Sequence, residues 1–388
     1  MQNIKTTVLF VCLCVLANIK AQICTNETPV SFDSKSKLTI ISKSLAPVVT
    51  TPKLDMAKIA KEDLEDEEYD MPPRFGYSHK VNYDLNNSGT WYKLPNGDKL
   101  WQLEVVCPAA VSVNFCYDKF WIPEGGKFFV YSKDRKHTIG AFTSINNKGD
   151  RDNIQGFATG LVYGDDVVLE YYQPKEITTD AIISIEYMVH GYRYIRIDEI
   201  GYGASDPCTI NVNCEEGQDW LFEKRSVALI IVNGERWCTG SLINTSDLSH
   251  KPYLLTADHC LGGNANAPVK YDAVNSPNLN HFTFYWNYEV PGCDNTNLEP
   301  GHVSTNGATV ISNPYGVTGE KSDFALLRLT EDPITLSNYS PYYLGWDRSG
   351  SSGDPGVCIH HPRGDVKKIS TVLSQPASST YSQYHSVP

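Results

Sequence analysis

The 388-residue sequence is poor in basic residues, and this shortage limits what the protein can bind. It contains 33 Lys and Arg against 45 Asp and Glu, which gives a formal net charge of −12. Nucleic-acid binding requires a basic face, so this balance argues against a nucleic-acid partner. Beyond the N-terminus, no apolar run approaches the roughly 20 residues that span a bilayer. We therefore expect no membrane association after removal of the N-terminal segment, and we expect a monomer.

Residues 1–21 are typical of a secretory signal peptide. Lys5 supplies the positive start, Thr7–Ala17 is an apolar run of suitable length, and Ala21 is a small residue at the end of the segment. Its removal takes two of the 11 cysteines and leaves nine in an oxidising setting. Cysteines are expected to pair there, and an odd number leaves at least one without a partner in this chain. We therefore predict an extracellular, secreted protein.

The rest of the chain divides into a polar leader and two β-rich units. Residues 22–73 are polar and acidic with weak apolar periodicity, which predicts a flexible linker. Residues 74–200 contain short β-branched and aromatic runs, and Asn96-Gly97 is a strong hairpin signal. They predict a β-sandwich-like domain that serves as a pro-region or an accessory domain. Residues 201–388 form the second β-rich unit.

Two predicted strands of the second unit carry a histidine and two cysteines. Trp237–Ile243 and Leu254–Cys260 are joined by a loop, and Cys238 and Cys260 lie at corresponding ends. A disulfide between these cysteines would hold the turn that contains His259. A general base needs such precise placement, because it must lie within hydrogen-bond distance of the proton it removes.

An acidic residue precedes a later apolar strand. The segment Ser322–Leu329 places Asp323 at the start of this strand. An acid that enters a buried strand costs free energy unless another group compensates it. Pairing with His259 would provide that compensation, and it would fix the imidazole tautomer and stabilise the imidazolium.

These motifs together resemble those of a known enzyme family. The set C-T-G-S-L-I, L-T-A-x-H-C and D-F-A-L-L is similar to trypsin-like serine proteases, and in particular to the secreted bacterial lysyl endopeptidase family. Four further segments carry the resemblance: Cys208–Cys214, Tyr285–Cys293, Gly345–Asp347 and Ile359–Ser370. The resemblance covers roughly residues 201–374 and implies an all-β fold, with a trypsin-like double β-barrel following the β-sandwich-like domain. The preceding region is similar to the β-rich pro-segments of some of these proteases.

The resemblance also implies roles for individual residues. His259 would be the general base and acid, Asp323 its orienting partner, and Trp346 would lie beside the substrate-binding pocket. Hydrolysis would take place after Lys or another basic residue of polypeptide substrates, without a cofactor. Two disulfides are implied, Cys238–Cys260 and Cys214–Cys293.

The remaining cysteines are harder to assign. We predict a Cys107–Cys116 disulfide, because both residues lie in a region of short neighbouring strands. Cys24, Cys208 and Cys358 are then left over. In the family, the cysteine that matches Cys208 bonds to one near the far end of the catalytic domain.

The nucleophile is not evident in the sequence. Gly350–Gly356 is rich in Gly and Ser, and Ser352 is its candidate nucleophile. However, this serine precedes the I-H-H-P motif at Ile359–Pro362, whereas the family places its serine well after that motif. A Gly/Ser/Asp/Pro cluster is also typical of a surface loop. We therefore expect the second barrel to be incomplete, with the nucleophilic serine beyond residue 388, and an activating cut between about Arg196 and Cys208.

A metal site is not predicted. His360 and His361 are adjacent and point to opposite faces of a strand, and no further ligand stands at zinc-binding spacing. Two function classes remain open. The first is a secreted serine endopeptidase precursor, and the second is a catalytically inactive secreted binding or adhesion protein built on a protease scaffold.

Overall fold

A computed structural model gives the architecture of the chain. It describes residues 27–33, 39–43, 48–69, 71–193, 196–197, 201–202, 205–206, 208–261, 279–294, 300–314, 322–336, 338–350, 353 and 356–375. The predicted signal peptide, Cys24 and Ser352 lie outside these residues. Below, the N-terminal unit means the described residues of 48–193, and the C-terminal unit means those of 208–375.

The first half of the described chain contains one α-helix and twelve strands. Helix α1 spans Met56–Glu68, and the side chain of Asp55 caps its first turn. The strands are β1 (Thr39–Lys43), β2 (Val48–Thr50), β3 (Gly76–Asp84), β4 (Thr90–Lys93), β5 (Lys99–Val106), β6 (Ser112–Trp121), β7 (Lys127–Ser132), β8 (Thr138–Phe142), β9 (Phe157–Ala158), β10 (Val162–Tyr163), β11 (Asp166–Gln173) and β12 (Ile182–Gly191).

These strands form two sheets packed face to face. One sheet has the order β1-β4-β5-β11-β7-β8 with β2 added on β5, and the other has the order β10-β6-β12-β3 with β9 added on β6. Alternate residues of β5, such as Leu103 and Val105, point into one core together with Phe115 and Ile185 of the facing sheet. This period of two is the pattern of strands buried on one face, and the result is a β-sandwich.

The acidic segment that was expected to be a flexible linker ends in helix α1, which is tied to the rest of the molecule. Asp63 accepts hydrogen bonds from Arg74 at 2.9 Å and from Arg193 at 2.6 Å. Asp66 accepts one from Arg236 at 2.7 Å. Arginines that are distant in the sequence compensate the acidic charge, so the composition alone is misleading here.

The predicted Cys107–Cys116 disulfide is wrong, because both residues are buried free thiols. Cys107 follows β5 of the first sheet, whereas Cys116 lies inside β6 of the second sheet. The chain crosses from one layer of the sandwich to the other between them. Cys116 Sγ instead lies 3.7 Å from the carbonyl oxygen of Asn233 in the C-terminal unit.

The second half of the described chain contributes twelve further strands. They are β13 (Arg196–Ile197), β14 (Gly201–Tyr202), β15 (Ile210–Asn211), β16 (Val227–Val232), β17 (Arg236–Ile243), β18 (Tyr253–Thr256), β19 (Thr283–Trp286), β20 (Val303–Asn306), β21 (Ala308–Ser312), β22 (Ala325–Leu329), β23 (Gly356–His360) and β24 (Lys368–Val372). Short 3-10 helices span Val30–Phe32, Ser144–Asn146, Glu215–Trp220, Glu223–Ser226, Asp258–Leu261, Pro333–Thr335 and Pro362–Gly364.

The main sheet of the C-terminal unit curls on itself. Its order is β20-β19-β16-β17-β18-β22-β21, so β20 and β21 are the two edge strands. Only Gly307 separates these strands in the sequence, and its φ of +81° is a conformation that glycine adopts readily. One residue cannot span an open sheet of this width, so the edges meet and the sheet closes around one apolar core.

A second, three-stranded sheet of order β15-β24-β23 lies beside this closed sheet. The predicted all-β, double-barrel-like fold after a β-sandwich is therefore confirmed. Asn233 and Gly234 form the tight turn between β16 and β17, and both have positive φ, which Asn and Gly adopt more readily than other residues. In the part of the chain that the structure describes, no helix has the length and apolar character needed to cross a membrane.

Candidate active site

Strand pairing brings the two candidate catalytic residues together. β18 and β22 are antiparallel neighbours, and Thr256 at the end of β18 lies opposite Ala325 at the start of β22. His259 follows this end of β18 in a short 3-10 turn, and Asp323 lies just before β22. The fold therefore places two side chains that are 64 residues apart in the sequence at one end of the barrel.

His259 and Asp323 form a two-point contact. Nδ1 of the imidazole lies 2.6 Å from Asp323 Oδ2, and the backbone N–H of His259 donates to Oδ1 at 2.9 Å. The side chains keep 37% and 36% of their surface exposed. Because both carboxylate oxygens are bound to one residue, the orientation of the imidazole ring is restrained.

The electrostatics favour an ionised Asp323. Partial burial would raise the pKa of this carboxyl, but hydrogen bonds from the His259 ring and backbone, with one from the Asp258 backbone, outweigh it and lower the pKa. The carboxylate is therefore charged at neutral pH. A charged acid on Nδ1 holds the proton at that nitrogen and stabilises the imidazolium that forms when Nε2 accepts a proton.

A predicted disulfide braces the histidine turn. Cys238 of β17 is bonded to Cys260, across a sequence separation of 22 residues. The hydroxyl of Thr256 donates to the carbonyl oxygen of Thr239 at 2.8 Å and ties the same two strands together. The turn that carries His259 is therefore fixed on both sides, as its proposed role demands.

Sequence reasoning missed a further brace of this turn. The side-chain amide of Asn313, just beyond β21, donates to Asp258 Oδ1 at 2.8 Å. Asp258 precedes His259, so this bond links the histidine turn to the segment that leads toward Asp323. Nothing in the sequence pairs an asparagine with an acid 55 positions earlier, and only the closed sheet reveals the contact.

The second predicted disulfide, Cys214–Cys293, is also present and joins residues 79 positions apart. The side-chain amide of Asn211 donates to the carbonyl oxygen of Cys293 at 2.6 Å. Asn211 belongs to β15, which pairs with β24. The disulfide therefore anchors the start of the C-terminal unit to its body. Cys208 and Cys358 are exposed free thiols.

Trp346 lies on the surface with 56% of its area exposed. Its indole N–H donates to the carbonyl oxygen of Asn244 at 3.0 Å, and a bridge between Leu344 and Ile243 holds the backbone nearby. The bond fixes the indole while its face remains accessible. A role in binding substrate stays a prediction, and the candidate Ser352 lies outside the described residues.

The adjacent histidines have separate structural partners. His360 Nε2 lies 3.2 Å from Ser370 Oγ, whereas the buried His361 binds the Asp365 carbonyl oxygen through Nδ1 at 2.9 Å. Among the described residues, a cluster of three potential metal-ligating side chains consists of Cys238, His259 and Cys260. Both sulfurs of this cluster are joined in a disulfide and are not the thiolates that metal sites use.

Comparison with known proteins relates this site to a protease family. A family model described as "Lysyl endopeptidase, C-terminal domain" matches residues 202–387. A lysyl endopeptidase of Pseudomonas aeruginosa is 27% identical over 190 residues, which cover 47% of this chain and 37% of that protein. The match thus spans a little over a third of the relative's length. These findings show that residues 202–387 are similar to lysyl endopeptidases. Both predicted catalytic residues lie within this matched segment.

The weak similarity of the chain to a solved structure adds nothing to this relationship. An Arthrobacter globiformis T6 isomalto-dextranase complexed with panose matches with a TM-score of 0.16 and 13% identity, over 31% of this chain and 23% of that chain. A similarity of this size carries no argument about fold or function.

Proposed function

We propose that the protein is a secreted serine endopeptidase precursor in which His259 is the general base and Asp323 its orienting acid. The observation that carries the proposal is the contact of His259 Nδ1 and N–H with the two oxygens of the Asp323 carboxylate. The family-model match over residues 202–387 supports it independently of that geometry. The two disulfides are compatible with an extracellular, oxidising location.

The proposed reaction is hydrolysis of a peptide bond by acyl transfer. A serine hydroxyl attacks the carbonyl carbon while His259 Nε2 accepts its proton, and the imidazolium then gives that proton to the leaving amine. Water repeats the sequence on the acyl-enzyme. Asp323 keeps the other ring nitrogen protonated throughout. Ser352 is not assigned as the nucleophile, because it precedes the I-H-H-P motif at Ile359–Pro362.

The substrate side of the proposal is a polypeptide cut after Lys or another basic residue. From Gly201 onward the chain has 19 Asp and Glu against 11 Lys and Arg, a net charge of −8. A negative field of this kind raises the local concentration of cationic substrates. Trp346, with its indole fixed and its face accessible, is the proposed contact for the bound peptide.

Labelling with a fluorophosphonate probe tests the catalytic assignment on the full-length gene product. Such a probe reacts covalently with an activated serine. We expect His259→Ala to abolish labelling, and Asp323→Asn to reduce the labelling rate by about 10⁴-fold, because the amide favours the wrong tautomer. The matched control is His250→Ala, which removes an exposed histidine of the same unit and should label as the parent protein does.

Two outcomes would contradict the proposal. Absence of labelling in an intact, folded full-length product would favour the inactive binding or adhesion protein instead. Labelling of the 388-residue chain at Ser352 would keep the enzyme and overturn our placement of the nucleophile, since we expect that chain to remain unlabelled.

A further inference from the structure

A backbone segment of the N-terminal unit lies along the β16–β17 hairpin of the C-terminal unit. The N–H groups of Phe75 and Gly76 donate to the carbonyl oxygen of Glu235 at 2.8 and 3.1 Å. In return, the N–H of Trp237 donates to the carbonyl oxygen of Pro73 at 3.2 Å. The segment therefore adds to the hairpin as an extra strand would, which is a common way for one protein chain to bind the sheet edge of another.

The tip of this hairpin fits closely against β6. The amide of Asn114 donates to the carbonyl oxygen of Gly234 at 3.1 Å. A Cβ atom on Gly234 would lie 2.6 Å from that amide nitrogen, and the φ of +76° also disfavours any other residue. Glycine is needed here both for the turn and for the close approach of the two units.

The two units also share an apolar core. The rings of Phe75 and Trp237 stack with their centroids 5.1 Å apart, and both side chains are buried. Leu161 of the N-terminal unit packs in the same cluster, and its N–H donates to the hydroxyl of Tyr285 at 2.9 Å. Separation of the units would expose this apolar surface to water, at a cost of about 25 cal/mol for each Å².

A buried lysine crosses the boundary beside the seam of the closed sheet. Lys148 of the N-terminal unit donates to the side-chain oxygen of Asn306, whose amide donates to the carbonyl oxygen of Ala158 at 3.3 Å. Burial lowers the pKa of Lys148 to about 8, while the buried Glu331 carboxylate attracts its charge. Each unit thus supplies hydrogen-bond partners to polar groups of the other, and separation would leave the Lys148 ammonium without its acceptor on Asn306.

We propose that the N-terminal unit is a permanently bound partner of the C-terminal unit, which stays attached when the connection between them, residues 194–207, is cut. The contacts described above involve residues outside that connection, so cleavage leaves them intact. None of them involves His259 or Asp323, whose side chains remain more than one-third exposed with the N-terminal unit in place. The bound unit therefore acts as a companion that leaves the candidate active site open.

The test uses the full 388-residue chain with a recognition sequence for a site-specific protease, flanked by Gly-Ser linkers, inserted between Ile197 and Gly201. Complete cutting is verified on a denaturing gel. Size-exclusion chromatography and native mass spectrometry at micromolar concentration then report whether the products stay together. We expect one species with a 1:1 ratio of the two fragments. Two separate fragments, or precipitation of one fragment that leaves the other in solution, would overturn the proposal. No step depends on proteolytic activity.

Charge variants sharpen the test at the interface. Lys148→Glu places a second negative charge beside Glu331 and should weaken the cut complex by on the order of 100-fold, as expected for a buried charged contact. The matched control, Lys136→Glu, makes the same charge change at a side chain that is 84% exposed, and should leave the complex intact. Asn114→Ala is a milder variant that keeps the fold, with an expected weakening of about 5- to 10-fold. Equal dissociation constants for all three variants would refute the assigned interface.

Discussion

The stability of this protein should fall steeply in mild acid because of His302. The imidazole stacks on Tyr285 with the ring centroids 3.9 Å apart and contacts Tyr288 edge-on at 5.7 Å. Burial, reinforced by the charge of His137 from the N-terminal unit, lowers the pKa of His302 to about 4, although a hydrogen bond with the Pro300 backbone acts in the opposite direction. The neutral ring is therefore the form that fits this site.

The direction of the effect follows from proton uptake. The ordinary pKa is 6.5, so between pH 6.5 and about pH 4 the unfolded chain binds a proton that the folded chain does not. Folding stability is lost as the pH falls through this window. The full shift corresponds to about 3 kcal/mol, of which about 2 kcal/mol is already lost at pH 5. Because the ring keeps some solvent exposure, we expect a loss of about 1 to 2 kcal/mol.

Urea unfolding at pH 7.5 and pH 5.0 measures this loss. Other titrating groups also contribute, so the informative quantity is the difference between the parent protein and His302→Phe. The variant keeps an aromatic ring but cannot be protonated, and its decrease in unfolding free energy between the two pH values should be smaller by about 1 to 2 kcal/mol. The control is His250→Phe at an exposed position. The same pH dependence in the His302 variant and the parent would refute the reasoning.

Two further predictions concern the interface and the free thiols. Arg236→Ala should lower the free energy of unfolding in urea by about 3 kcal/mol, because the buried guanidinium binds Asp66 at 2.7 Å. Strictly additive effects of Arg236→Ala and Asp66→Ala in the double variant would contradict a direct coupling of the two side chains. In the native 388-residue chain, iodoacetamide should alkylate the exposed Cys208 but leave the buried Cys107 and Cys116 unmodified, as read by mass spectrometry. In urea without reductant both buried thiols should react, and their failure to do so would restore the rejected disulfide.

Much of the local structure was predictable because its causes are local. The Asn-Gly pairs at Asn96-Gly97 and Asn233-Gly234 are typical of tight turns, and in the structure antiparallel strands flank both of them. Trp101–Val105 alternates apolar and polar residues, and it lies within β5. The pairing of His259 with Asp323 was also predictable, since each lies at the end of an apolar strand. The acid needs a compensating partner there, and the imidazole needs a group that orients it.

The misses arise where the cause is distant in the sequence. Helix α1 is rich in acids, and its tertiary anchors include Arg236, which lies far along the chain and belongs to the other unit. Cys107 and Cys116 are only nine positions apart in the sequence, yet they lie in opposite layers of a sandwich. The sequence around Lys148 does not indicate that this lysine is buried and donates to Asn306 of the other unit. Composition and spacing contain no information on such contacts.

The position of Gly307 has a consequence for the order in which the two units fold during synthesis. The closed sheet has its seam there, and the Nζ of Lys148 lies only 2.6 Å from where a Cβ of this glycine would be. Synthesis runs from the N-terminus, so the sandwich can fold before β20 and β21 leave the ribosome. Closure of the barrel at Gly307 then takes place against the surface of the folded β-sandwich. In this respect the early half of the chain serves as a template for the late half.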